Sequence, residues 1–173
     1  MKTRTRALAF TALATAGAMV MLYLGLLFPA MALTFAALAA VFVTVTVIEG
    51  GLYYGLFCFV ATSILGLVLA PGASAMLYIF FLGGYPLVKS IAEARKSRIL
   101  EWVIKYAAFF VGLLMYMTIL RYAFLAAVPF AEQAIPIIIV GGAVVFLVYD
   151  IGMSKLIGLY LARIYKHRNG GSL

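Results

Sequence analysis

Charge is scarce in this chain and is absent from long stretches of it. Only 10% of the 173 residues are charged, whereas 67% are hydrophobic. No charged side chain occurs in the 42 residues between Arg6 and Glu49, or in the 39 residues between Glu49 and Lys89. A hydrocarbon core of about 30 Å requires about 20 apolar residues for each helical crossing. Each stretch is therefore long enough to cross a membrane twice, and the composition excludes a water-soluble domain.

Cysteine and histidine each occur only once, as Cys58 and His167. A disulfide within the chain and a Cys/His metal site are therefore excluded. The sequence also lacks a Ser/His/Asp set, a close pair of carboxylates in one loop and a glycine-rich phosphate loop with lysine. We expect a protein that is not an enzyme and that carries neither a metal nor a cofactor.

Breaks in the apolar pattern divide the chain into six segments. Glycine, proline and charged residues interrupt it near Pro29, Gly50, Pro71, the basic stretch 92–98 and Pro129. The pattern predicts an all-α integral membrane protein with six transmembrane helices in one bundle and a single domain, residues 1–173. The predicted spans are 7–28, 31–48, 52–70, 74–91, 101–126 and 134–160.

The net charge of +8 comes from basic residues at the two termini and in one central segment. Short cytoplasmic loops are rich in Lys and Arg, so this distribution predicts cytoplasmic N- and C-termini rather than a nucleic-acid partner. The sequence Ala30-Met31-Ala32 is compatible with signal-peptide cleavage, but the apolar stretch before it is longer than a signal requires. We favour a retained anchor in the plasma membrane of a prokaryote, in contact with membrane lipid.

The fourth predicted span contains Gly83-Gly84-Tyr85-Pro86. Proline removes a backbone donor and clashes with the preceding turn, so a kink or an early helix end is expected there. Two interpretations are open: an ordinary proline kink, or a break that shapes a substrate site, as in transporters.

Small residues recur in the first span, where Ala9, Ala12 and Ala16 share one face and Ala14 and Ala18 are four residues apart. Faces of this kind allow helices to approach closely. They are compatible with packing inside the chain and with docking to another membrane subunit.

Arg121 lies within the fifth predicted span, close to the end that faces the outer side of the membrane. A charged side chain there either snorkels to the interface or faces a cavity inside the bundle. In the second case its guanidinium group is suited to bind a carboxylate or a phosphate. Depth alone places further candidate substrate-binding residues near it, namely Tyr116, Tyr122, Tyr78, Glu132 and Gln133.

Asp150 lies in the inner half of the sixth predicted span. An intramembrane carboxylate normally pairs with a cation or takes part in proton transfer. Lys89 and Lys105, at the inner ends of the fourth and fifth spans, are the available cations. The sequence therefore predicts either a structural ion pair or a coupling role for this carboxylate.

The six spans, basic N-terminus and alanine-rich first helix resemble the S-components of energy-coupling-factor (ECF) transporters. Ala12 and Ala16 look like that family's docking face, and Gly50-Gly51-Leu52-Tyr53-Tyr54-Gly55 is similar to its glycine-containing start of the third span. The resemblance implies a substrate pocket that opens outward and captures a small vitamin-like or anionic organic solute. It also implies partners: a transmembrane coupling subunit and cytoplasmic ATPases. The metal-binding members use an N-terminal histidine that this chain lacks, which disfavours cobalt or nickel.

Two other functional classes are compatible with the sequence. One is a structural membrane protein that resembles the six-span rod-shape-determining subunits. The other is a stand-alone small carrier, in which Asp150 would couple transport to protons.

Overall fold

A computed structural model describes the backbone of residues 2–94, 98–124 and 131–169, and the side chains of 4–94, 99–116, 118 and 140–163. Throughout these ranges the chain is helical apart from short turns, and no strand occurs in them. Within the described residues, six helical segments are long and apolar enough to cross a membrane. This confirms the predicted all-α class and the number of apolar helices.

The chain divides into two compact units, Met1–Ala123 and Phe124–Leu173. The helices of the first unit are α1 (Lys2–Leu27), α2 (Ala32–Gly50), α3 (Leu52–Leu69), α4 (Ala73–Leu77), α5 (Tyr85–Glu93) and α6 (Arg98–Phe124). A short 3-10 helix, Pro29–Met31, precedes α2. The second unit contains α7 (Ala131–Asn169). In sequence order, α4 and α5 together correspond to the predicted fourth span, and α6 and α7 correspond to the fifth and sixth.

Helices α1, α2 and α3 pack against one another, and α2 also contacts α4 and α5. The buried face of α2 consists mostly of alanine, including Ala32, Ala36 and Ala40 at four-residue intervals. Because alanine projects little beyond the backbone, neighbouring helices can approach α2 closely. The core of the first unit is therefore built around α2.

The turn between α2 and α3 depends on glycine. Gly51 has a φ of +90°, in the region that side chains with a Cβ rarely adopt. Its amide donates to the carbonyl oxygen of Val47, which closes the end of α2. Four residues later, a Cβ on Gly55 would overlap the side chain of Val47. The glycines therefore set both the direction of the turn and the close packing of α3 on α2.

The fourth apolar segment is interrupted, as its Gly-Gly-Tyr-Pro sequence predicts. Helix α4 continues into a π-helical turn, Tyr78–Leu82, and the helix then stops at Gly83 and Gly84. Helix α5 begins at Tyr85, with Pro86 in its first turn, where the missing N–H would have no helical partner. The proline therefore starts a new helix here and does not kink a continuous one.

Candidate functional site

The aromatic side chains of the fourth segment pack against two different helices, α3 and α6. Tyr78 is 0% exposed, and its ring lies 5.8 Å from that of Phe59 on α3. Its ring also covers Gly83, where a Cβ would come within 2.6 Å of the Tyr78 ring carbon Cζ. Tyr78 is thus enclosed between α3 and the helix break.

Tyr116 belongs to a separate aromatic cluster between the π-helical turn and α6. Its ring lies 5.6 Å from that of Phe81 and 6.2 Å from that of Phe80. The centre of the Phe81 ring also lies 5.9 Å from that of the Phe109 ring. Phe80, Phe81 and Tyr116 are each partly exposed. These three rings offer an accessible stacking surface, whereas the structure does not bring Tyr78 and Tyr116 together.

Gly112 allows α6 to approach this turn. A Cβ at Gly112 would overlap the carbonyl oxygen of Phe80, so the two backbones are nearly in contact. Gly112 and Tyr116 lie one turn apart on the same face of α6. Arg121 lies nine residues beyond Gly112, which at about 100° per residue places its Cα on the opposite side of the helix. The helical register therefore separates Arg121 from the aromatic cluster.

Four predicted substrate-binding residues have side chains that fall outside the described part of the structure, although their backbone is helical. They are Arg121 and Tyr122 near the end of α6, and Glu132 and Gln133 at the start of α7. Their proposed participation in a site stays a prediction.

A cluster of charged side chains joins α5 to the beginning of α6. The Lys89 ammonium lies 2.7 Å from Glu93 Oε1, and the Lys105 ammonium lies 3.6 Å from the same oxygen. Lys105 also donates to Glu101 Oε1 at 2.6 Å, and its ammonium lies 5.5 Å from the centre of the Trp102 ring. Both lysines are 2% exposed, whereas the Glu93 side chain is 44% exposed. Glu93 therefore stabilises two buried cations from a position that is open to the surface.

Asp150 lies in the second unit and is 5% exposed. It shares one face of α7 with Phe146 and Met153, which are also buried. Ser154 donates its hydroxyl to the backbone carbonyl oxygen of Asp150 at 2.9 Å. The two lysines predicted as its partners occur together in the α5–α6 charged cluster. Pairing of Asp150 with either of them stays a prediction.

Helix α1 uses only one of its two alanine faces inside the first unit. Ala14 and Ala18 are 6% and 0% exposed, and Leu22 on the same side is 0% exposed. Ala9, Ala12 and Ala16, which lie on the other side of the helix, are exposed. The face that packs within the chain is therefore distinct from the predicted docking face.

Sequence reasoning missed several residues that the structure brings together. Glu93 and Glu101 were not singled out, although each lies four residues from a lysine, a spacing that favours ion pairs on a helix. Phe80 and Phe81 were also missed, because hydropathy does not reveal how a π-helical turn directs its side chains. Among the described residues, no group of three His, Cys, Asp or Glu side chains is arranged to hold a metal ion.

Comparison with known proteins gives no assignment. No family model, no curated protein and no solved structure matches this chain.

Proposed function

We propose that this chain is the membrane-embedded substrate-binding subunit of an ECF-type importer, which captures a small vitamin-like or anionic organic solute at the outer face. The observation that carries the proposal is the exposed alanine face of α1, formed by Ala9, Ala12 and Ala16. These residues do not contribute to the buried core of the first unit. Small residues in such a position suit close contact with a helix of another subunit. That subunit would be the transmembrane coupling protein, and cytoplasmic ATPases would hydrolyse ATP.

The partly exposed rings of Phe80, Phe81 and Tyr116 support a place for the solute. Aromatic rings provide stacking area, and the tyrosine hydroxyl adds a polar contact. The neighbouring break in the fourth segment supports the same interpretation, since interrupted helices often form substrate sites in transporters. Arg121, which the helical register places on the side of α6 away from these rings, stays a separate candidate for binding an anionic solute.

The docking proposal is tested by purifying the chain from its own membrane with any bound proteins. Ala12→Leu and Ala16→Leu should abolish recovery of the coupling subunit and the ATPases, because leucine prevents close helix contact. Ala107→Leu, at an exposed alanine of α6, is the matched control and should leave recovery unchanged. Full recovery with both α1 variants would contradict the proposal, and so would a complex that contains envelope-synthesis proteins without ATPases.

Solute capture is tested by native mass spectrometry of the gently extracted chain. We expect a stoichiometric small molecule whose affinity falls by about 1.5–3 kcal/mol in Arg121→Ala, the scale of a charge-assisted hydrogen bond. Lys155→Ala, at an exposed cation of α7, is the control and should retain the molecule. Equal affinity in the wild type and Arg121→Ala would remove Arg121 from the site.

A further inference from the structure

Two hydroxyl groups in the core of the first unit have no hydrogen-bond partner among the residues that the structure describes. They belong to Thr62 on α3 and Tyr78 in the π-helical turn. Both residues are 0% exposed. The buried hydroxyls of Thr15, Thr44 and Ser74, in contrast, each donate to a backbone carbonyl oxygen. Because buried polar groups are nearly always hydrogen-bonded, these two exceptions require an explanation.

The two hydroxyls are neighbours across the interface between α3 and the fourth segment. They are close enough to interact, but they do not meet the geometry of a direct hydrogen bond. The Thr62 hydroxyl also does not donate to the carbonyl oxygen of Cys58, one turn earlier in α3. The Thr44 hydroxyl, in contrast, donates to the carbonyl oxygen of Ala40. That bond is readily available to a helical threonine. The Thr62 hydroxyl therefore remains available to a partner that is not its own backbone.

The backbone fixes the position of the Tyr78 ring. The ring packs against Phe59 and also covers Gly83, which has no Cβ to displace it. The π-helical turn that carries Tyr78 is a rare feature, and such turns frequently occur at functional sites. The hydroxyl is consequently held beside Thr62 by the contacts of the ring with Phe59 and Gly83.

We propose that Thr62 and Tyr78 form a binding site for one small uncharged group that both donates and accepts hydrogen bonds. Each hydroxyl can donate one bond and accept others, so a single such group between them would satisfy both. An ion is disfavoured because the neighbouring side chains of Cys58, which is buried, and Phe59, which is partly buried, provide no opposite formal charge for it. This group has two possible sources: a water molecule, or the solute through one of its hydroxyl or amide groups. Only the second source depends on the proposed function.

The first test measures thermal unfolding of the full chain in detergent. Tyr78→Phe and Thr62→Val each remove one hydroxyl with little change in volume. Each should lower the unfolding midpoint by about 2–4 °C. The midpoint of the double variant should not fall below that of the less stable single variant. The matched controls are Tyr53→Phe, at an exposed ring, and Thr44→Val, whose effect should add to that of Tyr78→Phe. A midpoint that is unchanged or raised by both core variants would overturn the proposal, because hydroxyls without a partner are destabilising.

The second test is an experimental density map of the wild-type chain, at a resolution that shows ordered water. We expect density between the two oxygen atoms, and its loss in Tyr78→Phe. Oxygen atoms in direct contact at about 2.7–2.8 Å, the length of a hydroxyl hydrogen bond, with no density between them would overturn the proposal.

Native mass spectrometry distinguishes the two sources. A retained small molecule that is lost in Tyr78→Phe and kept in Thr44→Val identifies a solute group at this site. Density between the oxygens without any retained mass identifies water and supports the site. If the group is water, the proposal that the chain captures a solute fails, whereas the Thr62–Tyr78 binding site is supported. The result therefore tells the failure of one proposal from the failure of the other.

Discussion

The contact between Gly112 and the π-helical turn makes a quantitative prediction about substitution by alanine. A Cβ at Gly112 would overlap the backbone carbonyl oxygen of Phe80, which cannot rotate away as a side chain can. Helix α6 must therefore move away from the turn. Overpacking of this kind costs about 1–3 kcal/mol. Replacing a helical glycine by alanine gains about 1 kcal/mol in helix propensity, so the net effect should be a destabilisation of about 0–2 kcal/mol.

Gly152 in α7 provides the matched control. It is also helical, but a Cβ there would meet nothing within 4 Å. Gly152→Ala should therefore stabilise the chain by up to about 1 kcal/mol through propensity alone. The two variants carry the same chemical change, so their difference of about 1–3 kcal/mol isolates the packing contribution.

The assay is thermal unfolding in detergent, followed through the fluorescence of Trp102, the single tryptophan of the chain, which lies on α6. A difference of 1 kcal/mol corresponds to about 2–4 °C in the midpoint for a chain of this size. Equal stabilisation by Gly112→Ala and Gly152→Ala would refute the close approach of α6 to the turn. A shift of the Trp102 spectrum in Gly112→Ala alone would indicate that α6 has moved as expected.

Three further predictions concern stability, each measured in the same unfolding assay. Ser74→Ala removes a buried hydrogen bond from α4 to the backbone of α1 and should cost about 0.6–1.7 kcal/mol of stability. The Thr44 hydroxyl bonds its own helix. An equal loss of stability in Thr44→Val would therefore count against a stabilising bond between α4 and α1. Gly51→Ala places a Cβ on a residue with a φ of +90° and a ψ of 174°, a region essentially limited to glycine, and should cost about 1–3 kcal/mol; an unchanged midpoint would contradict the strained turn. Glu93→Gln should cost about 1.5–3 kcal/mol and more than Glu101→Gln, because Glu93 contacts two buried lysines and Glu101 one; the reverse order would refute the shared contact.

Much of the secondary structure of this chain could be predicted because it follows from local chemistry. Long apolar stretches indicate helices, and Gly51 and the Gly83–Pro86 sequence mark where helices stop. These effects depend on residues that are adjacent in sequence. Composition and spacing are therefore sufficient to locate the six apolar helices and the break in the fourth segment.

The faces of the helices could not be predicted in the same way. Ala12 and Ala14 have the same side chain and similar neighbours, yet one is exposed and the other is buried. Depth in the predicted spans groups Tyr78 with Tyr116, but Tyr78 packs against Phe59 on α3 whereas Tyr116 packs against Phe80 and Phe81. Helix rotation is decided by contacts between segments distant in sequence, and hydropathy carries little information about it.

The alanine-rich face of α2 has a consequence for the order in which the chain assembles. Alanine has no side-chain rotamers to lose when it is buried, so packing on this face costs little conformational entropy. Its partners α1 and α3 are its immediate neighbours in sequence, and the loops between them are short. Since protein chains are synthesised from the N-terminus, we expect these three helices to associate while α6 and α7 are still being made. Helix α6, which belongs to the same unit, would then pack against helices that have already associated.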